Sequence, residues 1–405
     1  MKVFLLNTGT ELLLGDVRDL HLSFIAREIL PLGVRIEEQR TVPDGPAIRE
    51  TLADLLPRAD IVFVTGGLGP TTDDITREIV SELLGLELHL DEQVLATIME
   101  RLKKRGIRAT DRISRQALVP YGAQVLPNEN GTAPGLYLGT GINPHLFLLP
   151  GPPRELQPMF RESVRPILRR ILQGSAPITR RLYKIANIGE SIVEEAIGES
   201  ILAIPGLELG YCARPGEVEV RIIGEPAAIE QADAIIRAKL GSSIFSANDE
   251  ALEDVIVHML TQRKETLAIA ESCTGGLLAH RITNVPGASE VFLAGYITYS
   301  NGAKTDLLGI DPVLIEKQGA VSEEVARAMA AGARNRAKST YALATTGIAG
   351  PSGGSAGKPV GTVFVALASK GPETTVQKLF FPSDRETFKQ MAAQAAFDLL
   401  RQKLI

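Results

Sequence analysis

A serine, a tyrosine and a lysine stand at the ends of two apolar runs in the last third of this chain. They lie in the segments Glu271-Ser-Cys-Thr-Gly-Gly276 and Tyr299-Ser-Asn-Gly-Ala-Lys304. A hydroxyl between a strand and a helix is held by rigid elements yet reachable, and the helix behind it offers unpaired N–H groups and a positive dipole end. Serine alone is a weak nucleophile and needs a base. Lys304 can serve as that base, with Tyr299 relaying or orienting the proton. An unperturbed lysine, with a pKa near ~10.4, is almost wholly protonated at neutral pH, so the idea requires burial. Backbone N–H groups from Thr274 through Gly275 to Gly276 are the candidate donors to a developing oxyanion.

Two other readings of the same segment stand beside this one. Ser272 or Thr274 can simply cap a helix. Cys273 can be the nucleophile, with His280 nearby in sequence. On a helix the two are separated by ~10.5 Å of rise, too far for direct activation. A further loop, from Thr346 through Gly347 to Gly350 and Gly354, suits phosphate or oxyanion binding, and Lys358 follows it.

A second constellation occupies the first part of the chain. The segment Thr65-Gly-Gly-Leu-Gly-Pro-Thr-Thr-Asp-Asp74 follows an apolar run and leads into a helix. Gly66, Gly67 and Gly69 let the backbone approach a ligand, and Thr71 and the helix start suit phosphate. The Asp73-Asp74 pair would repel phosphate unless a divalent cation lies between them, and Glu11 is a third candidate ligand. Loops of the same character occur at residues 7–11, at Asn130 and Gly131, and at Gly151. Turn chemistry explains any one of them. Together they predict one polar crevice.

The elements that position these residues follow from periodicity. Strands at 3–7, 35–41 and 61–65 alternate with helices at 19–30 and 47–56, which predicts a doubly wound α/β domain with parallel strands and its site at their carboxyl ends. Residues 173–249 read as a small α+β layer, a spacer or dimerisation module. A third unit, 250–405, has strands at 266–270, 294–300, 341–346 and 361–369 with helices between them. The expected architecture is therefore two three-layer α/β domains, 1–172 and 250–405, joined by a smaller one.

Composition narrows the function classes. The 405 residues carry a net charge of −5, with 44% apolar and 22% charged residues, so no electrostatic footprint for nucleic acid is present and none is expected as a direct partner. The two cysteines, Cys212 and Cys273, imply no disulfide framework. No run reaches the length of a membrane helix and the first residues lack a signal-peptide pattern, so a cytoplasmic enzyme is expected.

Along its full length the chain resembles the CinA (competence/damage-inducible) family. Residues 65–74, 130–135 and 150–153 resemble the molybdopterin-binding MoaB/MogA/MoeA-like fold. Residues 271–276, 299–304 and 346–351 resemble nicotinamide mononucleotide deamidases. The resemblance implies an amidohydrolase that turns nicotinamide mononucleotide into nicotinic acid mononucleotide and ammonia without a cofactor, using Ser272 as nucleophile, Lys304 as base and Tyr299 in support. It implies a second activity in the first domain, an ADP-ribose pyrophosphatase giving AMP and ribose 5-phosphate. That activity requires a divalent metal (Mg, Mn or Co) and is aided by K+. A homodimer is expected. The alternatives are an adaptor in competence or recombination, which the family name suggests, and a pterin-nucleotide-binding protein.

Overall fold

Alternation along the first strands builds the first three-layer stack. Val3, Leu5, Ile61 and Phe63 face one core with Ile25, Ile29, Leu156 and Phe160, while Phe4, Leu6, Val62 and Val64 face another with Ile48, Leu52, Ile79 and Val80. Strands covered on both faces are apolar throughout. The computed structural model describes residues 1–108, 111–139, 144–174, 178–371 and 373–405, and the chain divides into two units, Met1–Thr179 and Arg180–Ile405.

The first unit contains strands β1 (Val3–Thr8), β2 (Ile36–Val42), β3 (Ile61–Thr65), β4 (Leu88–Leu90), β5 (Leu118–Pro120), β6 (Gln124–Leu126), β7 (Gly135–Leu138) and β8 (His145–Leu149). Its helices are α1 (Thr10–Leu14), α2 (His21–Ile29), α3 (Pro46–Leu55), α4 (Thr76–Leu84), α5 (Glu92–Lys104), α6 (Pro153–Met159) and α7 (Arg165–Ile171). The main sheet runs β2-β1-β3-β8-β7-β6, and β4 with β5 forms a separate ribbon. Register aligns Asn7 with Thr65 and Thr65 with Leu149. The exits of β1, β3 and β8 therefore converge at one edge.

In the second unit, β9 (Thr179–Ala186), α8 (Glu190–Leu202), β10 (Glu208–Arg214), β11 (Glu217–Gly224), α9 (Pro226–Leu240) and β12 (Ile244–Ser246) form the small layer, with strand order β10-β11-β9-β12. The remainder comprises α10 (Leu252–Arg263), β13 (Leu267–Glu271), α11 (Leu277–Thr283), β14 (Phe292–Ile297), α12 (Asn301–Leu308), α13 (Pro312–Gln318), α14 (Glu323–Ala337), β15 (Tyr341–Gly347), β16 (Thr362–Ala368), β17 (Thr374–Phe380) and α15 (Arg385–Leu404). Its sheet runs β14-β13-β15-β16-β17. One face carries large residues against α10 and α15. The other is a stripe of alanines, Ala268, Ala270, Ala342, Ala344 and Ala366, under α14. Small side chains let that helix pack close.

The fold is α/β, but both large sheets are mixed rather than parallel throughout. Strands β1, β2, β3 and β8 are parallel while β6 and β7 are antiparallel. Strands β13, β14 and β15 are parallel while β16 and β17 return antiparallel. A parallel step needs a crossover long enough for a helix, and the β15–β16 and β16–β17 connections carry none. The strand expected at 294–300 ends at Ile297 because Ser300 caps α12, its hydroxyl accepting from the Ala303 N–H at 3.1 Å. Among the described residues no helix is long and apolar enough to cross a membrane.

Candidate functional site

Ser272 leaves β13 at the turn into α11, and its N–H donates to the Thr345 carbonyl at 3.0 Å. The Thr274 and Thr345 hydroxyls meet at 2.7 Å, so the turn is pinned to the end of β15. Lys304 arrives from the first turn of α12, buried to 1% exposure. Its Nζ donates to Ser272 Oγ at 3.1 Å and to the Thr298 carbonyl at 2.8 Å. No carboxylate pairs with it among the described residues, and burial holds its pKa below the ordinary lysine value. In the neutral form the direction of the Ser272 bond reverses, and the amine accepts the serine proton.

Glu271 organises the turn. Its carboxylate, 1% exposed, accepts from the N–H groups of Gly276 (2.9 Å), Leu278 (3.1 Å) and Ala279 (2.9 Å). The Gly275 N–H is also engaged, by the Ser272 carbonyl. The donors expected from Gly275 and Gly276 are thus spent inside the protein. Those of Cys273 and Thr274, the two residues after Ser272, make no hydrogen bond to another residue among the described residues. Glycine at 275 and 276 answers to backbone conformation, with φ of 60° and 97°.

Cys273 is buried and belongs to the core cluster with Leu278, Leu343 and Phe388. Burial pushes its thiol up to about 12, which leaves essentially no thiolate at neutral pH. His280 is exposed and pairs with Asn284, so the sequence alternative lacks both thiolate and base. A maleimide is expected to label native protein once, at exposed Cys212, with Cys273 reacting only after denaturation. Mass spectrometry of labelled peptides checks this, and Cys273 labelling in the folded state would contradict the placement.

Tyr299 makes no hydrogen bond to Ser272 or Lys304 among the described residues. It is 62% exposed, and its hydroxyl accepts from Arg385 Nη2 at 2.8 Å. The cap at Ser300 turns the chain there and sends Tyr299 outward. Arg385, from the start of α15, also donates to the Gly350 carbonyl at 3.0 Å and so ties the loop after β15 to the rim. Sequence reading missed it. Thr346 spends its hydroxyl on the Ala320 carbonyl at 2.8 Å, Gly347 closes β15, and Lys358 donates to the Gln318 carbonyl at 2.8 Å.

In the first unit a crevice of about 370 Å³ opens where the exits of β1, β3 and β8 converge. Glu11, Gly66, Gly67, Gly69, Asp73, Asp74 and Gly151 all line it, joined by Asp44, Thr132 and Glu155. A Cβ on Gly66 would lie 2.5 Å from the Thr8 carbonyl, so only glycine allows this approach between the loops. Beneath them His21 Nε2 donates to the Gly151 carbonyl at 2.7 Å, and Thr65 bridges His21 and Asn7. Asn130 and Thr71 do not line the crevice. Asn130 is exposed and held by Asn128, and Thr71 donates its N–H and hydroxyl to Asp74. Gly131 borders a neighbouring cavity against α5.

Five carboxylates and no lysine or arginine line this crevice among the described residues. Among the described residues no three His, Cys, Asp or Glu side chains gather tightly enough to enclose a cation alone. The donor set fits a magnesium-type ion that takes one or two carboxylates and completes its shell with phosphate oxygens. Asp44 and Glu155 were not singled out from sequence. Glu155 is held by Asn128 Nδ2 at 2.8 Å, and its signal was its place after the Pro-Gly-Pro-Pro run.

Fold and sites define a multidomain α/β protein with a MoaB-like domain at one end and a Ser–Lys site at the other. Residues 4–170 match the model described as "Probable molybdopterin binding domain", 180–246 the "Damage-inducible protein CinA KH domain" and 249–404 the "CinA C-terminal domain". A CinA-like protein of Akkermansia muciniphila is 44% identical over 98% of this chain and 96% of its own. A relative from Caldicellulosiruptor bescii, named for competence and damage inducibility, is 42% identical over 98% of each chain. A crystal structure of a competence/damage-inducible protein from Agrobacterium tumefaciens is 37% identical and covers 37% of this chain and 92% of that one, with a TM-score of 0.37. The chain belongs to the CinA family.

Proposed function

We propose that the C-terminal site hydrolyses the carboxamide of nicotinamide mononucleotide to nicotinic acid mononucleotide and ammonia. We further propose that the N-terminal crevice cleaves ADP-ribose to AMP and ribose 5-phosphate. The observation that carries the first reading is the buried, carboxylate-free Lys304 at 3.1 Å from Ser272 Oγ. Neutral Lys304 takes the serine proton as Oγ attacks the carboxamide carbon. The N–H groups of Cys273 and Thr274 meet the developing oxyanion, an interaction typically worth ~3 to 4 kcal/mol per donor. The C–N bond breaks as Lys304 returns the proton to the leaving ammonia. Water then hydrolyses the acyl-serine by the same relay and frees the carboxylate.

Ammonia release measured against pH tests this. Burial disfavours the charged amine, so kcat/KM is expected to rise with pH on a limb whose midpoint lies below the ~10.4 of a free lysine. Lys304→Arg, which stays protonated throughout, should show neither the limb nor the activity. A midpoint at or above the free value contradicts the base role. The sign for stability follows: the unfolded chain keeps this proton up to ~10.4 while the native state releases it earlier, so stability gains from this group as pH rises between the two values.

In the N-terminal crevice a divalent cation would be held by Asp73 or Asp74 with Glu11 and by the substrate's own phosphates, offsetting charge and acidifying an attacking water. The glycine loops admit the diphosphate close to the backbone, and the His21 network fixes the Gly151 loop. The match of residues 4–170 to a molybdopterin-binding model favours a second reading, pterin-nucleotide binding in the same crevice. Pterin fluorescence in freshly purified protein distinguishes it.

A further inference from the structure

A mononucleotide brings a phosphate to the C-terminal site, and the helix end usually suited to it is occupied. The Glu271 carboxylate already takes the N–H groups of Gly276, Leu278 and Ala279 at the start of α11. A phosphate there would meet a carboxylate in place of free donors. Charge must be met by side chains instead.

Beside the turn, between α11 and α15, lies a cavity of about 420 Å³ lined by Leu277, Arg385, Glu386, Lys389 and Gln390. Arg385 and Lys389 are one helical turn apart, so both present to the same side of α15. Arg385 is committed to the Tyr299 hydroxyl and the Gly350 carbonyl. Lys389 is half-buried and makes no hydrogen bond or ion pair among the described residues. A Cβ on Gly275 would lie 3.9 Å from its Nζ, which places the ammonium over the turn that carries Ser272. Glu386 balances one of the two cations in this lining, so Lys389 decides its sign.

Resting on the deamidase reading, we propose that Lys389 anchors the substrate phosphate and makes the site select a mononucleotide over the corresponding nucleoside. The ammonium is uncommitted, close to the nucleophile turn and open to a cavity. A charge-assisted bond at that remote end adds binding that substrate and transition state share. Lys389 acts on binding, not on the reacting bond.

The test compares ammonia release from nicotinamide mononucleotide and from nicotinamide riboside by wild type, Lys389→Gln and Lys389→Arg. Lys389→Gln is expected to raise KM for the mononucleotide about 10- to 100-fold, the range for a hydrogen bond to a charged group, with kcat nearly unchanged. Activity on the riboside should not move, and Lys389→Arg should recover most of the loss. Inorganic phosphate should inhibit wild type competitively and the Gln variant much less. Equal losses on both substrates, or no change in KM on an active enzyme, overturn the anchor and leave the deamidase reading intact. A wild-type chain that releases no ammonia from the mononucleotide overturns both.

Discussion

Ser272→Ala and Lys304→Ala are each expected to lower kcat for ammonia release by at least about 10³-fold, and the double variant should be no worse than either alone. The two groups act as one device: without the amine the hydroxyl keeps its proton, and without the hydroxyl the amine has nothing to activate. Lys304→Met separates chemistry from folding. Lys304 is 1% exposed with no carboxylate paired to it among the described residues, so an apolar side chain of similar volume removes a buried polar group at little cost. That variant should be inactive yet melt at or above the wild-type temperature. Cys273→Ala should keep most activity, since its thiol is buried and stays protonated at neutral pH. Ammonia release and thermal melts decide the matter. A Ser272→Ala protein that stays active while Cys273→Ala fails would end the serine mechanism.

Removing divalent metal should abolish AMP formation from ADP-ribose, by about 10³-fold or more, while leaving ammonia release from nicotinamide mononucleotide unchanged. Among the described residues the ionisable groups of the crevice lining are all acidic: Glu11, Asp44, Asp73, Asp74 and Glu155. A diphosphate entering it alone meets only like charge. Asp73 is the cleaner position to alter, because Asp74 also holds the Thr71 turn. Asp73→Asn should raise the metal concentration needed for half-maximal rate. Chelation followed by magnesium add-back, read as AMP by chromatography, provides the measurement, and hydrolysis that survives thorough chelation defeats the proposal.

The pairing of Ser272 with Lys304 is legible in sequence because each lies within a few residues of a strand end, and neighbouring parallel strands bring such ends together. Tyr299 misleads for a local reason. The chain leaves β14 after Ile297, Ser300 becomes the cap of α12, and Tyr299 stays on the exposed side with Leu293 and Ile297. Arg385 gives no local signal at all. It is 86 residues from Tyr299 and reaches it only because β16 and β17 return antiparallel and deliver α15 to the rim. Glu271 reads as the polar end of a strand. Only the path of the helix beyond it reveals that its carboxylate closes that helix. In the first unit the glycine loops after β1, β3 and β8 are legible as one crevice, since parallel strands align their exits. Asp44 and Glu155 are harder to see, as they enter from loops whose own patterns look like ordinary turns.

The closure of α11 by Glu271 bears on how a catalytic cycle ends. Hydrolysis of the proposed substrate converts a neutral carboxamide into a carboxylate at the spot where the scissile carbon stood. A helix end left open would grip that new anion and slow turnover. Here the positive end is already matched by a carboxylate of the protein, and the neighbouring lysine is disfavoured as a cation by its burial. The remaining free amides of Cys273 and Thr274 suit a charge that lives only as long as the transition state. Nicotinic acid mononucleotide would therefore leave with its reacting end unheld, detained only by its phosphate.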